Sequence, residues 1–363
     1  MKTVKNLCFI MLVLFFAGCS SNDDEVGDWA KQNTSSFPGK GRTGAVAFTI
    51  NGKSYVGLGI DGDDYEMKDF WVYNGSWKAV DDFPGAPRYG AVAFSDGKYG
   101  YVGLGYADNV NKQGEEGKSE WFSDFYRFDP TQATGSQWTK MPDFPGKVRR
   151  SGVAFYVSGK GYVGMGRGED KEGTYNDFYT FNPGTNTWET EVMYYGSPRE
   201  GAVAFVIGES AYICTGRQGE SDYVNDVLKF TPTNEIPWEE LDPLKDRDDR
   251  KWDNDYPKIK RAFAVAFVIG SGENARAYLA TGSNGSLKSD CWEFNPFETS
   301  RGRKGYWDEV TNLPAGSMRQ MAVGFTFNDL GYITLGGTQK ADGTFQSVFN
   351  FTPGIDDDDQ NDD

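Results

Sequence analysis

Short apolar runs separated by two-residue turns set the pattern of this chain. Gly44 to Ile50 (G-A-V-A-F-T-I) is apolar, Asn51-Gly52 is a hairpin turn, and Lys53 to Gly59 (K-S-Y-V-G-L-G) is apolar again. After a variable loop, Asp69 to Tyr73 (D-F-W-V-Y) forms a third run, and Asn74-Gly75 turns into a fourth segment carrying Trp77. Runs this short, rich in Val, Phe, Tyr and Trp and bounded by Gly and Asn, predict strands rather than helices. The first run is the most apolar and fits an innermost strand flanked on both sides.

The scheme then repeats. Second strands are expected at Tyr101-Val102-Gly103-Leu104-Gly105, Tyr162-Val163-Gly164-Met165-Gly166, Tyr212-Ile213-Cys214-Thr215-Gly216, Tyr278-Leu279-Ala280-Thr281-Gly282 and Tyr332-Ile333-Thr334-Leu335-Gly336. Third strands begin at Asp124 (D-F-Y-R-F-D-P), Asp177, Asp226, Asp290 and Ser347. Between repeats runs a linker typified by Trp77 to Arg88 (W-K-A-V-D-D-F-P-G-A-P-R), after which a new apolar run opens. The arginines that open these runs are Arg42, Arg88, Arg150, Arg199, Arg261 and Arg319, lying 46, 62, 49, 62 and 58 residues apart. That spacing is near the period of about 50 expected when four-stranded sheets repeat radially.

On these residues the chain resembles a kelch-repeat propeller over about residues 29 to 353, in a branch where the kelch double Gly is mostly Gly-x-Gly or a single Gly. The expected fold is all-β: a six-bladed kelch-type β-propeller with an N-terminal strand closing the last blade. The sixth repeat stops at Pro353 without its Trp strand, and Trp29, in D-W-A-K-Q-N-T-S-S-F-P-G, supplies the missing piece from the other end of the chain. Closing the ring in this way removes exposed sheet edges. Gly beside the strand Tyr lets neighbouring sheets approach, and the repeat Trp residues fill the gaps between blades.

The 363 residues include 46 Gly and carry a net charge of -16. An internal repeat means one domain despite the length, since no single repeat buries its own core. Met1 to Cys19, with Lys2 and Lys5 before an apolar run and Phe16-Ala17-Gly18-Cys19 after it, reads as a targeting segment. It resembles a bacterial lipoprotein signal, which implies lipidation at Cys19. The acidic S-S-N-D-D-E that follows resembles the surface-export tag of Bacteroides-type lipoproteins; read from composition alone it is a solvated spacer. The expected layout is a signal over 1–18, a tether over 19–28, the propeller over 29–353 and an acidic disordered tail over 354–363. The expected address is the outer membrane, facing the cell surface, as a monomer that meets the membrane through its anchor only.

Cys8 leaves with the signal and Cys19 carries lipid, so Cys214 and Cys291 remain as buried apolar residues without a disulfide framework. The acidic charge argues against nucleic acid as a partner. The absence of His decides more: it excludes Ser-His-Asp and Cys-His catalysis and His-ligated zinc or copper. Galactose oxidase shares the kelch architecture, but its copper centre needs His ligands. No cofactor or metal is expected, and the acidic run Asp61 to Glu66 reads as a solvated turn in preference to a calcium loop.

The loops between second and third strands share a face with the linkers that enter each next blade, and this face collects the variable material. The arginines there read in two ways. Six guanidiniums around one mouth would make a receptor for carboxylate or phosphate, or each would pair with the Asp that opens its own blade's third strand. Ser347 replaces that Asp in the sixth repeat, which makes Arg319 the freest by this reading. Trp121, Trp252 and Tyr256, in the long loop excursions, either stack on sugar rings or pin their loops. Two functions follow: a binding module for a glycan or protein partner at the loop face, to which the sequence leans, or an enzyme of the mutarotase or epimerase class. Bacterial sialic-acid mutarotases are similar in blade count and address, and carboxylate catalysis beside an Arg suits ring opening.

Overall fold

A computed structural model describes residues 26–33, 35–108, 119–169, 173–246, 255–298 and 302–356. Cys19, the leader, most of the tether and tail, and Trp252 lie outside the described residues. Six four-stranded antiparallel sheets follow one another around an axis. Blade one is Val46–Ile50, Lys53–Gly57, Phe70–Tyr73 and Trp77–Ala79; blade two is Val92–Ser95, Gly100–Gly103, Phe125–Phe128 and Trp138–Met141. Blade three is Val153–Val157, Lys160–Gly164, Asp177–Asn182 and Thr187–Tyr194; blade four is Val203–Ile207, Ser210–Cys214, Val227–Phe230 and Trp238–Glu240. Blade five is Val265–Ile269, Arg276–Ala280, Cys291–Asn295 and Tyr306–Val310.

Blade six takes Val323–Phe327, Leu330–Thr334 and Val348–Asp356 from the C-terminal side and Val26–Lys31 from the other end. Trp29 lies opposite Phe351 and Lys31 opposite Phe349, so the chain ends are stitched into one sheet as the repeat count requires. Trp29 is buried, its indole N–H reaches the Thr311 carbonyl at 2.9 Å, and its ring meets Phe267 of blade five edge-on at 6.3 Å. Each repeat Trp acts similarly: Trp138 packs on Phe70 and Phe83 of blade one, and Trp238 on Phe178 of blade three.

The V-A-F motif explains the centre. Val and Phe of each inner strand are buried in the blades, while the intervening residue, Ala in five blades and Gly324 in the sixth, faces the axis. Small side chains such as Ala47, Ala93, Ala154, Ala204 and Ala266 leave a channel of about 230 Å³. A β-carbon on Gly57, Gly103 or Gly164 would lie 2.2–2.4 Å from Phe70, Phe125 or Phe178, which is why the second strands need Gly there. Cys214 and Cys291 are fully buried free thiols, and burial pushes Cys214 up to about 12.

A belt of backbone hydrogen bonds encircles the loop-face end of the channel. Gly44, Gly90, Ser151, Gly201, Phe263 and Met321 each donate an N–H to the carbonyl of the preceding member, at 2.8–3.0 Å, and Gly44 closes the circuit on Met321. All six have positive φ, from 53° to 64°, although three are not glycine. Among the described residues no helix is long and apolar enough to cross a membrane.

Candidate functional site

The repeat arginines are structural. Arg42, Arg88, Arg199, Arg261 and Arg319 are at most 1 % exposed, so they do not form the anion receptor that the sequence leaves open. The third blade corrects the sequence reading: the buried member is Arg149, and Arg150 is the next residue along. In the other five blades the Arg stands six residues before the inner-strand Phe, and Arg149 stands six before Phe155.

Each of these arginines fastens three strands. Its Nε donates to the carbonyl two residues back, as from Arg88 to Ala86 at 2.9 Å. Its Nη1 donates to the middle residue of the Gly-x-Gly position: Leu58, Leu104, Met165, Thr215, Thr281 and Leu335 in blades one to six. Those six residues all hold φ between 55° and 64°, a left-handed conformation that side chains resist, so the guanidinium stabilises a strained turn. The Arg carbonyl accepts from the preceding blade's second Gly, as from Gly59 to Arg88 at 2.8 Å and from Gly336 to Arg42 at 2.8 Å.

Charge completes the fastening in five blades. Arg42, Arg88, Arg149, Arg199 and Arg261 pair with Asp69, Asp124, Asp177, Asp226 and Asp290 respectively. Burial pushes the Asp69 carboxyl up, but the hydrogen bonds and charge of Arg42 outweigh it and hold the group below its usual range. Asp290 is held low in the same way by Arg261. Arg319 has no such carboxylate; its Nη2 donates to Ser347 Oγ at 3.0 Å, and its plane lies 4.3 Å from the Phe345 ring centre. Burial pushes it down to about 10. Among the described residues it lacks an ionic partner, yet it is fully enclosed and not available to a ligand.

The residues immediately after these arginines, Thr43, Tyr89, Arg150, Glu200, Ala262 and Gln320, each pair with the residue that follows the second Gly position of their own blade, near the mouth of the channel. Tyr89, Arg150, Glu200 and Gln320 line a cavity of about 220 Å³ with Arg217, Phe263 and Lys340. Arg150 is half-buried; it donates to the Tyr89 hydroxyl at 2.6 Å and lies 5.1–5.8 Å from the ring centres of Tyr89, Tyr106 and Trp121. Among the described residues no carboxylate reaches it. Trp121 meets Tyr106 at 4.5 Å and lies 5.8 Å from Arg150, beside this mouth.

Glu200 is 2 % exposed. Its Oε1 accepts from Arg217 Nη2 at 3.0 Å, Arg217 Nε at 3.2 Å and Arg167 Nη1 at 3.4 Å, while Oε2 has no partner among the described residues. Spanning blade one, Lys340 of blade six ion-pairs with Asp108 of blade two. Burial pushes the Asp108 carboxyl up, but Lys340, with the Tyr106 and Tyr89 hydroxyls, brings it below its ordinary value. The Tyr89 hydroxyl is pushed far up by burial, so it stays protonated and donates to Asp108 at 3.2 Å. Among the described residues, Arg150, Arg167, Arg217 and Lys340 thus face Glu200, Asp108 and Glu66, a locally positive mouth on a chain of net charge -16.

Tyr256 is not in the site. It lies in the short 3-10 helix Tyr256–Ile259, 3 % exposed, its hydroxyl bonded to the backbone of Trp307; it pins the insertion to blade five and cannot stack on a sugar. Asp61 is likewise committed, to Lys40 and to the amides of Asp63 and Tyr65. Among the described residues no group of three or more Cys, Asp or Glu is placed to hold a metal ion.

No family model matches the chain. Enzymes named N-acetylneuraminate epimerase from Escherichia coli K12, Shigella flexneri and Shigella boydii serotype 4 are 34 % identical over 95 residues, which is 25 % of this chain and 26 % of theirs. The match therefore spans about a quarter of those curated relatives. A solved structure of YjhT superposes with a TM-score of 0.65 at 18 % identity, covering 86 % of this chain and 95 % of that one. The lean toward a non-catalytic binder finds no support here, because these relatives carry the name of an enzyme. The chain is a six-bladed β-propeller, similar over a quarter of its length to enzymes named for epimerising N-acetylneuraminate.

Proposed function

We propose that this propeller binds an acidic sugar at the loop-face mouth and exchanges the configuration of its anomeric centre. The observation that carries the reading is Arg150, a half-buried guanidinium walled by aromatic rings, without a carboxylate of its own among the described residues, lining the same cavity as Glu200. A planar guanidinium receives a ligand carboxylate through two parallel hydrogen bonds. Tyr106 and Trp121 offer apolar faces to the sugar ring. The names of the partial relatives support the substrate class.

Glu200 supplies the proton chemistry. With Oε1 held by Arg217 and Arg167, Oε2 accepts the anomeric hydroxyl proton and returns it to the ring oxygen as the ring C–O bond breaks. The open-chain carbonyl then turns and recloses on its other face by the reverse transfer. The net change is in configuration alone, so neither cofactor nor redox partner is needed. We also place the protein outside the cytoplasm on a lipid at Cys19, supported by its leader sequence; loss of membrane retention in Cys19→Ala tests this, and full retention refutes it.

The test is thermal shift with N-acetylneuraminate, glucuronate and neutral N-acetylmannosamine, then exchange NMR between the anomers of each ligand that binds. The acidic sugars should stabilise the protein in a way that Arg150→Ala abolishes, whatever the neutral sugar does, and Glu200→Gln should keep binding but lose exchange. Stabilisation without exchange would leave the binding-module reading in place, and no stabilisation by any acidic sugar refutes the site.

A further inference from the structure

A second cleft lies outside the mouth, between blades three and four. The hairpin Arg217–Gln218 with Asp222–Tyr223 separates the two. Because successive strand residues face opposite sides, Arg217 points into the mouth and Gln218 into this cleft. The cleft measures about 570 Å³, larger than the mouth and within the size range of small-ligand sites.

Its lining differs in kind from that of the mouth. Tyr194 is 69 % exposed at the end of its strand, and Tyr179 and Tyr175 line the same space. Around them, Asn176 gives its amide N–H to the Gly196 carbonyl at 2.8 Å, while among the described residues its Oδ1 and the Gln218 amide have no partner. The carboxylate present, Asp177, is taken by Arg149, and the cation present, Lys147, lies over the Tyr175 ring at 5.5 Å from its centre. Gly219 forms part of the rim, where even a β-carbon would meet nothing within 4 Å. Aromatic faces beside uncommitted amides, with the acid neutralised, suit the alternating C–H faces and hydroxyl edges of an uncharged pyranose ring.

We infer that the cleft between blades three and four is a separate binding site for a neutral pyranose unit, with Tyr194 as its stacking platform and Asn176 and Gln218 as its hydroxyl readers. The inference is independent of chemistry at the mouth. Saturation-transfer NMR and calorimetry with methyl β-galactopyranoside, methyl α-glucopyranoside and methyl N-acetyl-β-glucosaminide test it. At least one should bind; Tyr194→Ala and Gln218→Ala should each raise its Kd tenfold or more, while Arg150→Ala leaves it unchanged. Circular dichroism checks folding, which the exposure of Tyr194 favours. Binding by none of the three, retention in both cleft variants, or loss in a folded Arg150→Ala protein would overturn the inference. Anomer exchange of an acidic sugar in Tyr194→Ala stays at the wild-type rate if the sites are separate, and its loss would equally overturn it.

Discussion

The sixth blade offers a direct test of what the buried arginines do, through the exchange of Ser347 for Asp. Arg319 is enclosed like its five counterparts but meets a hydroxyl where they meet a carboxylate. Its lowering to about 10 corresponds, at about 1.4 kcal/mol per tenfold, to roughly 3 kcal/mol against burying the charge. An Asp at 347 should recover part of this, since its own desolvation offsets some of the attraction; about 1–2 kcal/mol is expected. Asp124→Ser makes the reciprocal change, giving Arg88, which also lies on aromatic rings, the partner that Arg319 has now. That should cost about 2–3 kcal/mol, because it strands a buried cation. Urea unfolding followed by tryptophan fluorescence reads both. A midpoint that rises for Ser347→Asp and falls for Asp124→Ser supports the reasoning. A fall for Ser347→Asp, or no change for Asp124→Ser, would show that hydrogen bonds to carbonyls suffice and that the carboxylates add nothing.

Trp29→Ala should cost about 3–5 kcal/mol of global stability although the residue lies at the chain's edge, because it fills the seam between blades five and six; unfolding at an unchanged urea midpoint would argue against that seam. Asp69 and Asp290, with folded pKa values below their unfolded ones, contribute stability that is complete above about pH 5 and is lost as pH falls through the unfolded and then the folded values. Urea midpoints at pH 7, 4 and 2.5 should therefore fall in that order, less steeply in Asp290→Asn, and parallel curves would refute the assignment. Arg150→Lys should weaken an acidic-sugar ligand about tenfold, a point charge replacing a fork, and calorimetry showing equal affinity would remove the bidentate contact.

Blade number, strand order and the closing strand were legible because each is a repeated physical requirement. A Trp must fill each seam, a Gly must admit each Phe, and an unpaired edge must find its partner, so Trp29 had one place to go. The site was less legible for the same reason. Residues that recur in every repeat, such as Arg88 and Asp124, answer to packing, whereas the ligand-facing positions differ from blade to blade. The variable column directly after each Arg, which contains Tyr89, Arg150 and Glu200, carried that signal. Fixing its register needed the six-residue count to the inner-strand Phe, which separates Arg149 from Arg150. Arg217 and Lys340 gave no comparable sign, since loop geometry alone brings them over the axis. Tyr256 misled because an aromatic inside an insertion can serve as an anchor, and here its hydroxyl is held by Trp307.

The belt from Gly44 to Met321 bears on how anything enters this molecule. Six hydrogen bonds close on themselves around one ring of residues, and none can lengthen without straining its neighbours. The aperture is therefore set by the covalent dimensions of the backbone and cannot dilate as a side-chain gate can. Whatever settles above it rests in a cup with a rigid floor, arriving and leaving through the loops by the same route.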